Sequence, residues 1–247
     1  MSKATACDQQ RSILGGVILL PILFESGDLL VIDKPSGLAV HRGLSQGPES
    51  VLSRLRDQGF AQLFPVHRLD RPTSGVLLLA KNADSARFMS LAFTEKRIQK
   101  HYWAFVRGVP SEPSMFVDHP VPKDEGAERV PAQTHVRCLA TAALADSPLR
   151  ERRISWLEAR PETGRFHQIR RHTKHIGCPI LGDTTYGRSE HNRLIRARFG
   201  LARLALHACR LEVPLCDGGR LVLEAPLPPD LLAIAAYLGA LDGKIRH

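Results

Sequence analysis

The sequence predicts a mixed α+β domain built on an extensive sheet. Three observations carry that expectation: short apolar runs bounded by Gly and Pro, five stretches with helical spacing between them, and no internal repeat, low-complexity tract or flexible linker. At 247 residues, with 43% hydrophobic and 24% charged positions, the chain suffices for one large domain or two small ones and lies outside the disordered and fibrous classes. The domain is expected to occupy 22–247, with 1–21 as an N-terminal extension.

The elements follow in order. Ile22-Leu23-Phe24 and Leu29-Leu30-Val31-Ile32 flank a Gly27-Asp28 turn and read as a hairpin, which Lys34-Pro35-Ser36-Gly37 ends. Ser50 to Gln58 is helical with a stop at Gly59, and Val76 to Ala80 is a continuous apolar run suited to a buried strand. A helix over 83–96 is expected to bury Phe88, Leu91 and Ala92. Lys100 to Val106 is a strand with Tyr102 on one face, and 107–150, rich in prolines with weak periodicity, is expected to hold loops and short strands. A strand over Ile154–Ala159 precedes a helix from His167 to Ile176, with Ile169, Thr173 and Ile176 along one side and Gly177 closing it. Another helix over 190–199 carries Arg193 and Arg196 on one face. Strands at 204–213 and 220–225 and a helix at 229–239 complete the chain.

The charge is uneven. The formal net charge is +9, and residues 160 to 210 alone carry eleven Lys or Arg against three acids. A polyanionic partner is the expectation. Five scattered cysteines, at 7, 138, 178, 209 and 216, form no disulfide pattern and suit a reducing, cytoplasmic compartment. The apolar stretch Ser12 to Phe24 imitates a signal sequence. Pro21 lies inside it, however, no small-residue cleavage site follows, and Leu29 to Asp33 returns as a strand. No window approaches the ~20 apolar residues of a membrane span.

His67-Arg68-Leu69-Asp70-Arg71-Pro72-Thr73-Ser74-Gly75 places an acid between two arginines just before the buried strand. This segment resembles the signature of the pseudouridine synthases, in the branch that acts on large-subunit ribosomal RNA and on tRNA. Lys34-Pro35-Ser36-Gly37 with Val40-His41-Arg42 resembles the family's first motif, Lys100-His101-Tyr102 its tyrosine motif, and Thr163-Gly164-Arg165-Phe166-His167-Gln168-Ile169-Arg170 its third. Pro179-Ile180-Leu181-Gly182-Asp183, Tyr186-Gly187 and Leu206-His207-Ala208 follow in the family's order. The resemblance covers roughly 22–225 and implies a large mixed, mainly antiparallel sheet flanked by helices and loops.

It also implies a chemistry: uridine in RNA becomes pseudouridine, with no redox change, no cofactor and no metal. The site needs an ionised carboxylate beside the ribose anomeric carbon, where positive charge develops. Asp70 is that group by resemblance, with Arg165 as the guanidinium expected to keep it ionised. Tyr102 is expected against the target uracil and as a candidate base for the C5 proton, and Leu206 as the apolar wall beneath the ring. Arg68 and Arg71 are expected to meet phosphates or brace the turn, and Arg170, Arg171, Arg193 and Arg196 to supply RNA contacts.

Arg71-Pro72, Arg170-Arg171-His172 and His191-Asn192-Arg193 running to Phe199-Gly200-Leu201 most resemble the tRNA branch, implying uridine 65 (tRNA numbering) in the T-stem as target. Only about 20 residues precede the first matching strand, with no basic RNA-binding module of the kind several ribosomal RNA synthases carry. Selectivity is therefore expected from the catalytic domain, through 160–203, in a chain that acts as a monomer. The alternatives are the same chemistry on ribosomal RNA, or a non-catalytic RNA-binding protein. His172, His175 and Cys178, with His207 and Cys209, have spacings that zinc could use, but on a helix ending at Gly177 they need not converge. His67 is expected to support the loop rather than to form a hydrolase pair with Asp70.

Overall fold

The computed structural model describes residues 13–14, 17–41, 49–144, 152–215 and 218–239. Arg42, Cys7, Cys216 and most of the expected N-terminal extension lie outside them. A short ladder of β1 (Ile13–Leu14) and β2 (Val17–Ile18) comes first. The expected hairpin follows as β3 (Ile22–Glu25) and β4 (Leu29–Lys34), paired antiparallel. Next come α1 (Val51–Asp57), β5 (Phe64–Pro65), β6 (Ser74–Ala80), α2 (Ala83–Thr94) and β7 (Gln99–Arg107). After β8 (Ser114–Asp118), the small hairpin β9 (Val121–Pro122) and β10 (Arg129–Val130) leads into β11 (Gln133–Ala143) and β12 (Arg153–Pro161). The chain ends with α3 (Gln168–His175), α4 (Ser189–Phe199), β13 (Leu206–Pro214), β14 (Arg220–Glu224) and α5 (Pro229–Tyr237). No described helix is long and apolar enough to cross a membrane.

Ten strands form one sheet in the order β3-β4-β6-β13-β7-β12-β11-β8, with β5 beside β6 and β14 beside β13. Every pairing is antiparallel except β6 with β13, so the sheet is mixed and mainly antiparallel, as expected. The parallel contact is two residue pairs long, His207 with Ser74 and Ala208 with Gly75. Chain approach there is so close that a Cβ on Gly75, at φ 111°, would lie 2.1 Å from the Ala208 carbonyl oxygen. This junction brings the loop before β6 against the start of β13.

Residues 29–32 of β4 and 76–80 of β6 are continuous apolar runs because both faces are covered. Leu30, Ile32, Leu77 and Leu79 pack with Val51 and Leu55 of α1 on one side. Val31, Val76 and Leu78 pack with Met89 and Ala92 of α2 on the other. A third cluster joins Phe105, Trp156 and Leu157 to Ile195 of α4 and to Leu231 and Ile234 of α5.

Two expectations fail. In α2 the buried residues are Met89 and Ala92, Phe88 is half-buried and Leu91 is 50% exposed. Leu91 stands two residues, about 200° of helix rotation, beyond Met89, and so faces water. The segment 107–150 also holds more than short strands, since β11 runs eleven residues. Its alternation is clear only at Thr134 and Val136; a bulge between Cys138 and Ala140 then shifts the phase, and the small residues that follow carry little strand signal.

A thermal melt tests the junction. Gly75→Ala is expected to cost more than about 2 kcal/mol, lowering Tm by at least roughly 4 °C. Gly27→Ala, with nothing within 4 Å of the added Cβ, is expected to stay within about 0.5 kcal/mol of the parent.

Candidate active site

The Asp70 loop is tied down before any substrate arrives. His67 Nε2 accepts the Leu78 N–H at 3.0 Å, and its ring stacks on Phe93. Burial, with Lys100 nearby, lowers the His67 pKa to about 3, so the ring is a neutral acceptor. Leu69 is buried beneath the loop, and the Asp70 carbonyl accepts the Thr73 N–H to close a turn. The loop is then laced to the turn after β4. Gly37 N–H donates to the Arg71 carbonyl, Arg71 Nε to the Gly37 carbonyl, and Ser36 Oγ to the Pro72 carbonyl. Buried Lys34 donates from Nζ to the carbonyls of Pro35, Leu38 and Arg71. Arg71 thus braces the turn and does not line the cleft.

Asp70 opens onto a cleft of about 500 Å³, which Tyr102 of β7, Leu206 of β13, Arg68, Arg165, His167 and Arg170 also line. The wall at 163–168 is fixed by Gln168. Its Oε1 accepts from Thr163 Oγ1 and the Arg165 N–H, while Nε2 donates to the Gln133 carbonyl and Thr134 Oγ1. Lys100 Nζ holds the Thr163 carbonyl from β7. Lys96, Lys100 and Lys123 add cations around the mouth, with Asp124 and Glu162 among them.

Arg170 is the main correction. Expected to contact RNA, it is only 4% exposed and forms two 2.8 Å hydrogen bonds, Nε and Nη2, with the Asp183 carboxylate. Its third nitrogen, Nη1, lies 3.8 Å from Asp70 Oδ2. Arg165, expected to hold Asp70, lines the cleft without an ion pair to it, and its Nε is buried with no hydrogen-bond partner. The reason is helical geometry: Arg170 and Asp70's other neighbour, His167, are three apart at the first turn of α3, whereas Arg165 precedes the helix.

Burial raises the Asp70 pKa, against the pull of Arg170, Arg68 and Lys34, and Asp183 adds to the rise. Burial lowers Lys34 to about 7, with Asp70 opposing. Burial alone would raise Asp183 too, but its bonds from Arg170 and from the Tyr186 and Thr185 amides hold it below the usual carboxylate range. Tyr102 is pushed well above the usual phenol range by burial and then by Asp70. Tyr102 is therefore held as a neutral phenol, a poor proton acceptor.

Arg171 lies over Phe166 and Tyr186, 5.8 and 5.1 Å from the ring centroids, and its Nε is buried without a partner. Arg193 and Arg196 stand exposed on α4, away from the cleft lining. The zinc-like spacing does not gather a site among the described residues. His172 bonds Thr134 Oγ1 and the His119 carbonyl, while His207 bonds Ser74 Oγ. Lys34, His167, Asp183 and Tyr186 were not singled out from the sequence, yet all four surround Asp70. Each stood inside a recognised motif, but only the fold shows that they converge on Asp70.

Residues 28–175 match the family described as RNA pseudouridylate synthase. The chain belongs to that family. A tRNA pseudouridine synthase C of Haemophilus ducreyi is 40% identical over 202 residues, covering 76% of this chain and 83% of the relative. One from Salmonella typhi is 35% identical over 236 residues and 90% of each chain. One from Pectobacterium carotovorum is 40% identical over 209 residues, 79% of this chain and 55% of its own length. The solved structure of human RNA Pseudouridylate Synthase Domain Containing 4 superposes with a TM-score of 0.71 at 27% identity, covering 89% of this chain and 93% of that one. The family's shared fold is thus seen in sequence and in structure.

The ion pair gives a pH-dependent prediction. Asp183→Asn leaves Arg170 buried without its charge partner and is expected to cost about 3–5 kcal/mol at neutral pH. A carboxylate with a depressed folded pKa stabilises above its unfolded pKa and loses that contribution as pH falls through the folded one. The difference between parent and variant in urea unfolding should therefore be full above about pH 5 and shrink below about pH 4.

Proposed function

We propose that the chain isomerises uridine to pseudouridine in tRNA, with uridine 65 of the T-stem as its target and Asp70 as the catalytic carboxylate. The observation that carries this reading is the placement of Asp70 on a braced loop, facing Tyr102 and Leu206 across a cleft ringed by cations. The relatives described as tRNA pseudouridine synthase C, matched over most of this chain, support tRNA as the substrate.

The target uridine must leave its stack to reach Asp70, at a cost of a few kcal/mol. Phosphate contacts from Arg68, Lys96, Lys100, Lys123 and Arg165 offset that cost, and Tyr102 with Leu206 receives the flat uracil. The reaction breaks the N1–C1′ bond, turns the uracil and joins C5 to C1′; C5 loses its proton and N1 gains one, so composition is unchanged. Positive charge developing at C1′ is met by the Asp70 carboxylate, whose ionised form Arg170 and Arg68 favour against its burial. Arg193 and Arg196 on α4 make peripheral phosphate contacts in this reading.

Asp70→Asn is expected to bind a tRNA transcript within about threefold of the parent while its rate falls by at least roughly 10³-fold, as for loss of an essential catalytic group. Single-nucleotide mapping of pseudouridine in tRNA and ribosomal RNA treated with each protein reads both claims. Modification by Asp70→Asn at the parent rate would remove Asp70 from the chemistry, and parent modification confined to ribosomal RNA would replace the substrate.

The peripheral contacts have a separate signature. In filter binding between 50 and 200 mM salt, a protein carrying Arg193→Ala and Arg196→Ala is expected to lose about one to two units from the slope of log K against log salt. Its single-turnover rate at saturating protein should be unchanged.

A further inference from the structure

Asp70 Oδ2 has a second neighbour besides Arg170. His167 Nε2 lies 3.8 Å from it, and the other ring nitrogen, Nδ1, is 3.1 Å from the Tyr186 hydroxyl. The imidazole is held on two sides, stacked on Phe166 with centroids 3.8 Å apart and met edge-on by Tyr186. His167 occupies the N-cap position of α3, yet its side chain caps nothing and its backbone is left-handed at φ 53°. Such a conformation costs a non-glycine residue about 1 kcal/mol or more, and here it turns the ring into the cleft.

On the reading of Asp70 as the catalytic carboxylate, we propose that His167 is a positioning residue: its Nε2–H is directed at Asp70, and the Tyr186 hydroxyl fixes the tautomer this requires. The charges select that tautomer. An Nε2 lone pair facing a carboxylate would be repelled, so the proton sits on Nε2 and Nδ1 accepts from the Tyr186 O–H. Charged and titratable groups face the ring from each neighbouring element: Asp70 and Arg68 from the loop before β6, Arg170 and Arg171 from α3, and Asp183 and Tyr186 from the segment after it. Burial, followed by Arg170, lowers the His167 pKa to about 4 while Asp183 opposes. The ring is therefore neutral throughout the physiological range, and its N–H dipole acts on Asp70 across 3.8 Å, longer than a formed hydrogen bond. A neutral donor stabilises the carboxylate without setting another cation beside the positive charge that forms on the ribose.

The test is a ¹³Cγ NMR titration of Asp70 in the free protein, with Asp70→Asn to assign the resonance, on the parent, His167→Asn and Tyr186→Phe. Asn tolerates the left-handed backbone, and Phe keeps an aromatic ring beside Arg170, Arg171 and Lys174. A donor favours the ionised form, so removing it raises the Asp70 midpoint, by roughly half a unit in His167→Asn and less in Tyr186→Phe. The acid limb of the single-turnover rate on tRNA should move to higher pH by the same amount, with RNA affinity unchanged. Identical midpoints in parent and variants would overturn the proposal, as would a rate loss equal at every pH. If His167→Asn does not fold, Tyr186→Phe decides alone. A parent protein inactive on every RNA would instead overturn the catalytic reading, and the titration, which needs no RNA, would still decide whether His167 donates to Asp70.

Discussion

Arg170 and Asp183 meet through two 2.8 Å hydrogen bonds with 5% and 0% of their side chains open to solvent, and four segments of the chain are arranged around that contact. Taking both charges out of water is costly, and the pair is compensated because both carboxylate oxygens accept hydrogen bonds. The Thr185 and Tyr186 amides complete Asp183, and Asn192 of α4 bridges the Gly182 N–H and the Asp183 carbonyl. Gly182 itself, at φ 74°, is pressed against the Arg203 carbonyl, where a Cβ would lie 1.9 Å away. The first turn of α3, the segment holding Tyr186, the start of α4 and the approach to β13 are thereby fixed relative to one another. The remaining Arg170 nitrogen is aimed at Asp70, so one interaction sets both the scaffold and the electrostatics of the cleft.

The opposite side of Asp70 is held by uncharged contacts to a charged group. Lys34 gives its three ammonium donors to three carbonyls, two in its own turn and one on the Asp70 loop. A neutral amine has only two N–H, so these three bonds hold Lys34 as the ammonium and oppose the fall in its pKa that burial produces. Its geometric and electrostatic effects therefore depend on the same proton. Asp70 is left with the cations of Arg170, Arg68 and Lys34 favouring its ionisation and burial working against it. In the proposed reading, this balance suits a carboxylate that faces a developing cation without being firmly paired.

How much of this was legible follows from the range of each signal. β4 and β6 were readable because an apolar run between turn residues is a local property, and Asp70 because its neighbours in sequence are also its supports. The Arg165 assignment failed because two arginines five residues apart are equivalent in sequence, and only the start of α3 separates them. Arg170 enters the helix and turns inward; Arg165 stays on the wall. Asp183 and Tyr186 approach from more than ten residues away, through a turn whose path depends on Gly182, and no spacing rule encodes that route. β11 was missed for a different reason: its ladder with β12 tolerates a bulge, and pairing with neighbours on both sides supplies order that its own Ala and Thr residues do not announce.

Depth divides the cleft's positive charge into two roles. Lys96, Lys123 and Arg68 are exposed, so their attraction to RNA is long-ranged, shared with counterions and weakened by salt. Arg170 is shielded from ions, and its influence on Asp70 persists at any salt concentration at which the fold survives. In the proposed reading, substitutions at Lys96 and Lys123 alter how firmly an RNA is held, whereas Arg68, exposed but also acting on Asp70, couples the two roles. The neutral Tyr102 phenol belongs to the inner group. Burial and the nearby carboxylate keep it uncharged, so it adds no negative charge beside Asp70.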